Sequence, residues 1–216
     1  MRPQTIPTET NEIIVRDPAT GEEVGRAPIT SPSAVREAVR LARAAQAAWA
    51  RLSYNQRAEV IFKARELVLA QLEEIATLIS RETGKPASEA ISMEVVPTLD
   101  LMHYFARNTA KLLKPSRINL GQYGLMGRSS KIVYKPLGVV GIISPWNFPW
   151  ATPLDEVVLA LMAGNAVVIK PSELTPLTSL KIAEIFQLAH LPPGLLEVVT
   201  GDGSTGAALV EAGVDK

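Results

Sequence analysis

The sequence contains no cysteine. Disulfides, thiolate metal centres and a cysteine nucleophile are therefore excluded for these residues. Histidine is almost as scarce: His103 and His190 stand alone, which rules out a histidine metal cluster. Neither sign of charge dominates, since 22 Lys and Arg face 22 Asp and Glu. No basic excess points to nucleic acid or an anionic membrane. No uninterrupted apolar run reaches the length of a membrane span. The opening MRPQTIPTETNE lacks the apolar centre of a signal peptide. There is no internal repeat and no low-complexity tract. The expectation is a cytoplasmic protein with neither nucleic acid nor membrane as partner.

What is present is enough apolar material for a core, 47% of 216 residues. Two continuous β-branched runs, Val139–Ile143 and Ala166–Ile169, read as strands buried on both sides. A helix-length segment, 152 to 163, lies between them. Strand, helix, strand is one right-handed crossover of a parallel sheet. From 139 onward the pattern predicts strands at 139–143, 165–169 and 195–199. The helices alternating with them fall at about 152–163, 176–189 and 204–212, with Thr175 capping the second. Upstream, 12–16 and 23–27 flank the turn-rich Asp17–Gly21 and read as a hairpin with a five-residue loop, after a loose arm over 1–12. Ser31 and Pro32 open a first helix. A second is predicted from about 55 to 81, ended by Gly84. A third runs from near Pro86 to Lys111, with Pro97 kinking or splitting it. Glu82 and Lys85, at a helix end, read as exposed, and both histidines as ordinary surface residues. The fold class is α/β. A Rossmann-like parallel sheet (139–216) follows an N-terminal hairpin and helical layer (1–111) and an extended segment (112–138).

Ligands of open parallel sheets bind outside the carboxyl ends of the strands. Ile143, Ser144, Pro145, Trp146 and Asn147 leave the first strand, and Lys170, Ser172 and Glu173 leave the second. An amide at Asn147 can donate to a developing oxyanion, or simply satisfy a turn. A carboxylate at Glu173 can accept from ribose hydroxyls with Lys170 beside it, or the two can form a surface ion pair. Gly201 to Gly206 spells GxGxxG, a weak signal alone. The usual fingerprint follows the first strand of its unit and carries an acidic residue about 20 residues later. Here it follows the third strand, so Gly203 and Gly206 read as close-approach or turn glycines rather than a full phosphate cradle.

PWNFPW at 145–150, GNAVVIKPSELTP at 164–176 and VVTGDGSTG at 198–206 resemble the NAD(P)-dependent aldehyde dehydrogenases. Matching segments run in family order along nearly the whole chain. The resemblance implies oxidation of an aldehyde to a carboxylic acid. Asn147 would then stabilise the oxyanion, and residues 143–146 would wall the coenzyme cleft. Lys170, Ser172 and Glu173 would meet the adenosine, with Gly203 and Gly206 near it. Glu173 leans the coenzyme towards NAD, with NADP possible. Segment 112–138 would reach to a neighbouring subunit, so a homo-oligomer or a complementing C-terminal segment is the expected partner. The family's nucleophilic cysteine and general-base glutamate lie beyond residue 216. The chain is therefore expected to be an N-terminal piece, inactive alone, with an open sheet edge and a tendency to aggregate. A non-catalytic binding or assembly module is the competing expectation.

Overall fold

A computed structural model describes residues 12–216; the arm expected over 1–12 lies almost wholly outside them. Strands β1 (Glu12–Arg16) and β2 (Glu23–Pro28) pair antiparallel. The connection is six residues rather than five, shaped by the Asp17 carboxylate accepting from the Ala19 amide (2.8 Å). Helix α1 (Pro32–Trp49) starts as its sequence asks: Ser31 Oγ accepts from the Ala34 amide and Pro32 occupies the first turn.

The single helix expected over 55–81 is two, α2 (Tyr54–Ala70) and α3 (Leu72–Thr83), broken at Gln71. Buried Ile61, Ala64 and Val68 are followed by buried Ile75 and Ile79, so helical spacing continues across the break. Hydrophobic periodicity therefore could not reveal it. Gly84 takes the left-handed conformation (φ 77°) that ends α3. The third helix is split ahead of Pro97: α4 (Ala87–Glu89), a π-helical stretch (Ala90–Val95), then α5 (Val96–Leu112). Proline has no amide hydrogen to give the preceding turn, so the ladder must change there.

Strands β3 (Ser116–Ile118) and β4 (Ser130–Ile132) form an exposed two-stranded ribbon around the short α6 (Gln122–Leu125). The parallel sheet follows: β5 (Val139–Ile143), α7 (Ala151–Ala163), β6 (Ala166–Lys170), α8 (Pro176–Leu188), β7 (Leu196–Val198) and α9 (Gly203–Glu211). Strand order is β5-β6-β7, with Ile143 opposite Lys170 and Ile169 opposite Val198. This is the expected α/β class.

Right-handed crossovers place α7 and α8 on one face, where α2, α3 and α5 cover them. Helices α1 and α9 pack against each other and the opposite face. Gly141 helps here, because a side chain at that position would press on Leu209 and Val214. Every residue of β6 is buried, as expected of a central strand. β5 is not buried throughout: Val139 and Ile142 are, while Ile143 at its tip is exposed. In the third strand region Leu195 and Val199 are core, but Leu196–Val198 between them are half-buried.

Instead of standing open, the outer side of β5 meets the residues after α9. The Asp215 amide donates to Val139 O (2.8 Å), and the Gly141 amide to Lys216 O (2.9 Å). Arg43 of α1 fixes this tail through the Asp215 carboxylate (2.7 Å) and Gly213 O (2.8 Å). Among the described residues no helix is long and apolar enough to cross a membrane.

Candidate functional site

Because β5 and β6 are adjacent and parallel, their following loops leave at one end of the sheet. The Ser144 amide donates to Lys170 O (3.1 Å), carrying the ladder one residue further. Asn147 and Glu173 sit on these two loops, and both are exposed. Ile143 and Lys170 point to the α9 face: a side chain at Gly206 would meet Ile143 Cδ1 at 3.8 Å and Lys170 Cδ at 3.9 Å. The stem of Lys170 is buried and its ammonium reaches Glu173 at 3.4 Å. Ile143, Lys170 and Gly206 are thus neighbours where β5 and β6 end, with Glu173 paired to Lys170.

The other expected residues are placed differently. Ser144 is buried with no partner for its hydroxyl among the described residues. Ser172 Oγ accepts from the Leu174 amide (3.2 Å) and shapes the turn. Pro145 is exposed. Trp146 borders a cavity of about 210 Å3 with Pro18 of the hairpin loop, Thr83 and Leu174. Gly203 opens α9 with free space about it. Asp202 caps that helix, accepting from the Ser204 amide (2.8 Å) and hydroxyl (2.6 Å). Those bonds hold its carboxyl below the usual range. A fixed negative charge at the helix start opposes a phosphate there, in keeping with the GxGxxG reading above.

Two buried carboxylates hold this end of the sheet together, and sequence reasoning missed both roles. Glu94, in the π-helical stretch, has 0% exposure. It accepts from the Trp150 amide (2.9 Å) and the Ala151 amide (3.1 Å), the start of α7. Its other oxygen takes the Lys85 ammonium. Lys85 also donates to Asn147 O (2.8 Å) and lies 4.5 Å from the Phe148 ring centre. Lys85 is therefore half-buried rather than exposed as expected: it fills the space between α3 and the turn. One ion pair fixes both ends of Asn147–Trp150, and Trp150 adds a bond from its indole to Thr98 Oγ1 (3.1 Å). With its main chain held, Asn147 lies exposed on the turn after β5.

Glu82, also expected to be exposed, is buried. Its carboxylate accepts from the Leu177 and Thr178 amides (both 2.8 Å) and from the Thr178 hydroxyl. The expected cap of α8 is thereby corrected. Thr175 makes no capping bond and its hydroxyl has no partner among the described residues; α3 caps α8 from outside. A carboxylate binds two amides at once where a hydroxyl binds one, which explains the substitution of roles.

Burial pushes the Glu82 carboxyl up to about 7 from its ordinary 4.5, although the bonds from Thr178 and Leu177 pull the other way. The folded state thus favours its protonated form. The stability this supplies is complete below about pH 4.5 and is lost as pH rises to about 7. It amounts to about 3 kcal/mol. Denaturant unfolding across that window is expected to show the decline in the wild type and a flatter profile in Glu82→Gln. Parallel profiles contradict the assignment.

A family model described as "Aldehyde dehydrogenase family" matches residues 5–216. Among curated proteins, 4,4'-diapolycopene aldehyde oxidase of Methylomonas sp is 32% identical over 198 residues, 92% of this chain and 37% of that protein. Among solved structures, a Mycobacterium tuberculosis aldehyde dehydrogenase complexed with NAD+ superposes with TM-score 0.86 and 36% identity, covering 95% of this chain and 42% of the other. An E. coli NADP dependent enzyme gives 0.85 and 31%, covering 91% and 40%. The chain thus spans well under half the length of each of these relatives.

Proposed function

This chain belongs to the aldehyde dehydrogenase family, and we propose that it supplies the coenzyme crevice and the oxyanion donor for oxidising an aldehyde to a carboxylic acid. The observation that carries the reading is the gathering of Ile143, Lys170, Glu173 and Gly206 beside the clamped Asn147 turn. The residues present fit a nicotinamide dinucleotide. Glu173 offers an exposed carboxylate to ribose hydroxyls. Lys170 adds a donor held by its buried stem. Gly206 lets a flat adenosine approach without meeting a side chain, and Ile143 gives it an apolar wall. Ser144, Pro145, Trp146, Ser172 and Gly203 border the same loops as further contacts.

A bound nicotinamide would supply the hydride acceptor for the oxidation. The chain's own part is preorganisation. An amide fixed before reaction stabilises charge on the carbonyl oxygen without reorganising. No residue in 1–216 supplies a thiolate. Nucleophile and base come from a further segment or chain, so the 216-residue chain alone is proposed to form no NADH from any aldehyde.

NAD is the proposed coenzyme, with NADP second, because Glu173 repels a 2′-phosphate. A homo-oligomer in the cytoplasm is proposed as the working form, with 112–138 as its contact segment. Leu125, Met126 and Tyr123 are exposed there, as are Ile118 and Ile132 on the ribbon. That same exposure favours the second reading, an assembly module with weak dinucleotide affinity.

Calorimetric titration tests the proposal. NAD is expected to bind more tightly than NADP, and Glu173→Gln to weaken NAD about tenfold while narrowing the gap. No saturable heat from either dinucleotide rejects the coenzyme crevice and leaves the assembly module.

A further inference from the structure

The flank of the sheet farthest from β5 carries a groove. β7 ends the strand order β5-β6-β7. Just before it, Leu195 O accepts from the Val167 amide, and just after it the Val199 amide donates to Ile169 O (both 2.8 Å). The odd-numbered residues therefore bond to β6. Backbone groups alternate along a strand, so those of Leu196 and Val198 face outwards, where no strand among the described residues meets them. Beside this flank, α8 and β7 enclose about 380 Å3. Leu180, Ala183 and Phe186 of α8, with Leu196 and Val198 of β7, form the apolar wall.

One charged residue borders the groove, Glu197. It stands between Leu196 and Val198 in sequence, so its side chain leaves the opposite face of the strand. It is half-buried, and burial, with no cation beside it, raises its carboxyl. Neither of its oxygens is sealed from solvent, so an incoming group reaches them. None of these residues belongs to segment 112–138 or to the coenzyme crevice.

We infer that the β7 flank takes up an extended peptide segment of the pattern apolar–basic–apolar. Its main chain pairs antiparallel with Leu196 and Val198. Its two apolar side chains enter the groove beside α8, and the Lys or Arg between them meets Glu197 across the strands. Other occupants satisfy less of the surface. A second copy presenting its own β7 sets Glu197 against Glu197. A small organic cation answers the acid but leaves the outward amides and carbonyls unpaired. A strand without a cation removes water from the acid and returns nothing.

The probe is the capped pentapeptide Ser-Val-Lys-Val-Ser, titrated into the 15N-labelled 216-residue chain and followed by NMR. Saturable shifts are expected at the amides of 196–198 and of α8 from 180 to 187, with none at Asn147 or Glu173. The result is therefore separate from that of the dinucleotide titration. Ser-Val-Glu-Val-Ser is expected to bind at least about tenfold more weakly. The Lys peptide with both valines N-methylated should lose as much, because it cannot donate to β7. Glu197→Lys, at a partly exposed position, should reverse the order of the Lys and Glu peptides. Glu197→Gln should erase their difference, and it decides the matter if Glu197→Lys does not fold. Absence of saturable shifts at β7, equal binding of butylamine, or a preference for the Lys peptide that survives in the variants overturns the assignment.

Discussion

Replacing Glu94 by alanine is expected to destabilise the protein by about 3–5 kcal/mol, the usual result of leaving one member of a buried ion pair alone. For a chain of this size that lowers the melting temperature by about 10 °C. The loss has three parts. Lys85 keeps its charge with only the Asn147 carbonyl and the Phe148 ring face to receive it. The Trp150 and Ala151 amides lose their only acceptor. A fully buried volume is emptied. Glu94→Gln restores shape and one acceptor but not the charge, so its melt should fall between the two. Lys85→Met strands the carboxylate and should cost a comparable amount. Since both side chains belong to one network, the double variant Glu94→Gln with Lys85→Met should cost less than the sum. Scanning calorimetry of the wild type and the four variants checks this. An unchanged melt for Glu94→Ala, or strict additivity, refutes the clamp.

The second large effect is on rate. When the chain works with a segment that supplies the thiolate, Asn147→Ala is expected to lower kcat by about 100- to 1,000-fold, the cost of removing one oxyanion donor. KM and NAD affinity should change little, because the amide acts on charge that develops during reaction. Asn147→Asp should be at least as slow, since it sets a negative charge against the oxyanion. Steady-state kinetics with calorimetric NAD binding separates these quantities. A fall in NAD affinity that accounts for the whole effect would assign Asn147 to the coenzyme instead.

The parallel sheet was readable because its information is local. Val139–Ile143 and Ala166–Ile169 are apolar without interruption, and polar residues mark where each ends. Ser31, Pro32, Gly84 and Pro97 act on backbone within a turn of themselves, so their effects were also legible. The break at Gln71 was not, because the apolar spacing of α2 continues into α3. The residues that hold the site were least visible. Glu94 meets Trp150 across 56 positions, Lys85 meets Asn147 across 62, and Glu82 meets Thr178 across 96. A charged residue near a helix end reads as solvated, and only the fold brings its distant partners to it. Arg57 shows the same limit: in sequence it belongs to a solvated helix face, whereas in space α7 and the segment before β5 close over it.

The bonds from Asp215 and Lys216 to β5 bear on how copies of this protein meet. They leave β5 with neighbours on both flanks, and β6 is already interior. The tail bonds reach only Val139 and Gly141, so pairing capacity remains on β5 beyond Gly141 as well as on the outer flank of β7. That flank is three residues long and carries Glu197 at its midpoint. Burial already raises the Glu197 carboxyl, so a strand laid against it would trap a charge that is short of water. Stacking through the β7 flank is disfavoured by that acid.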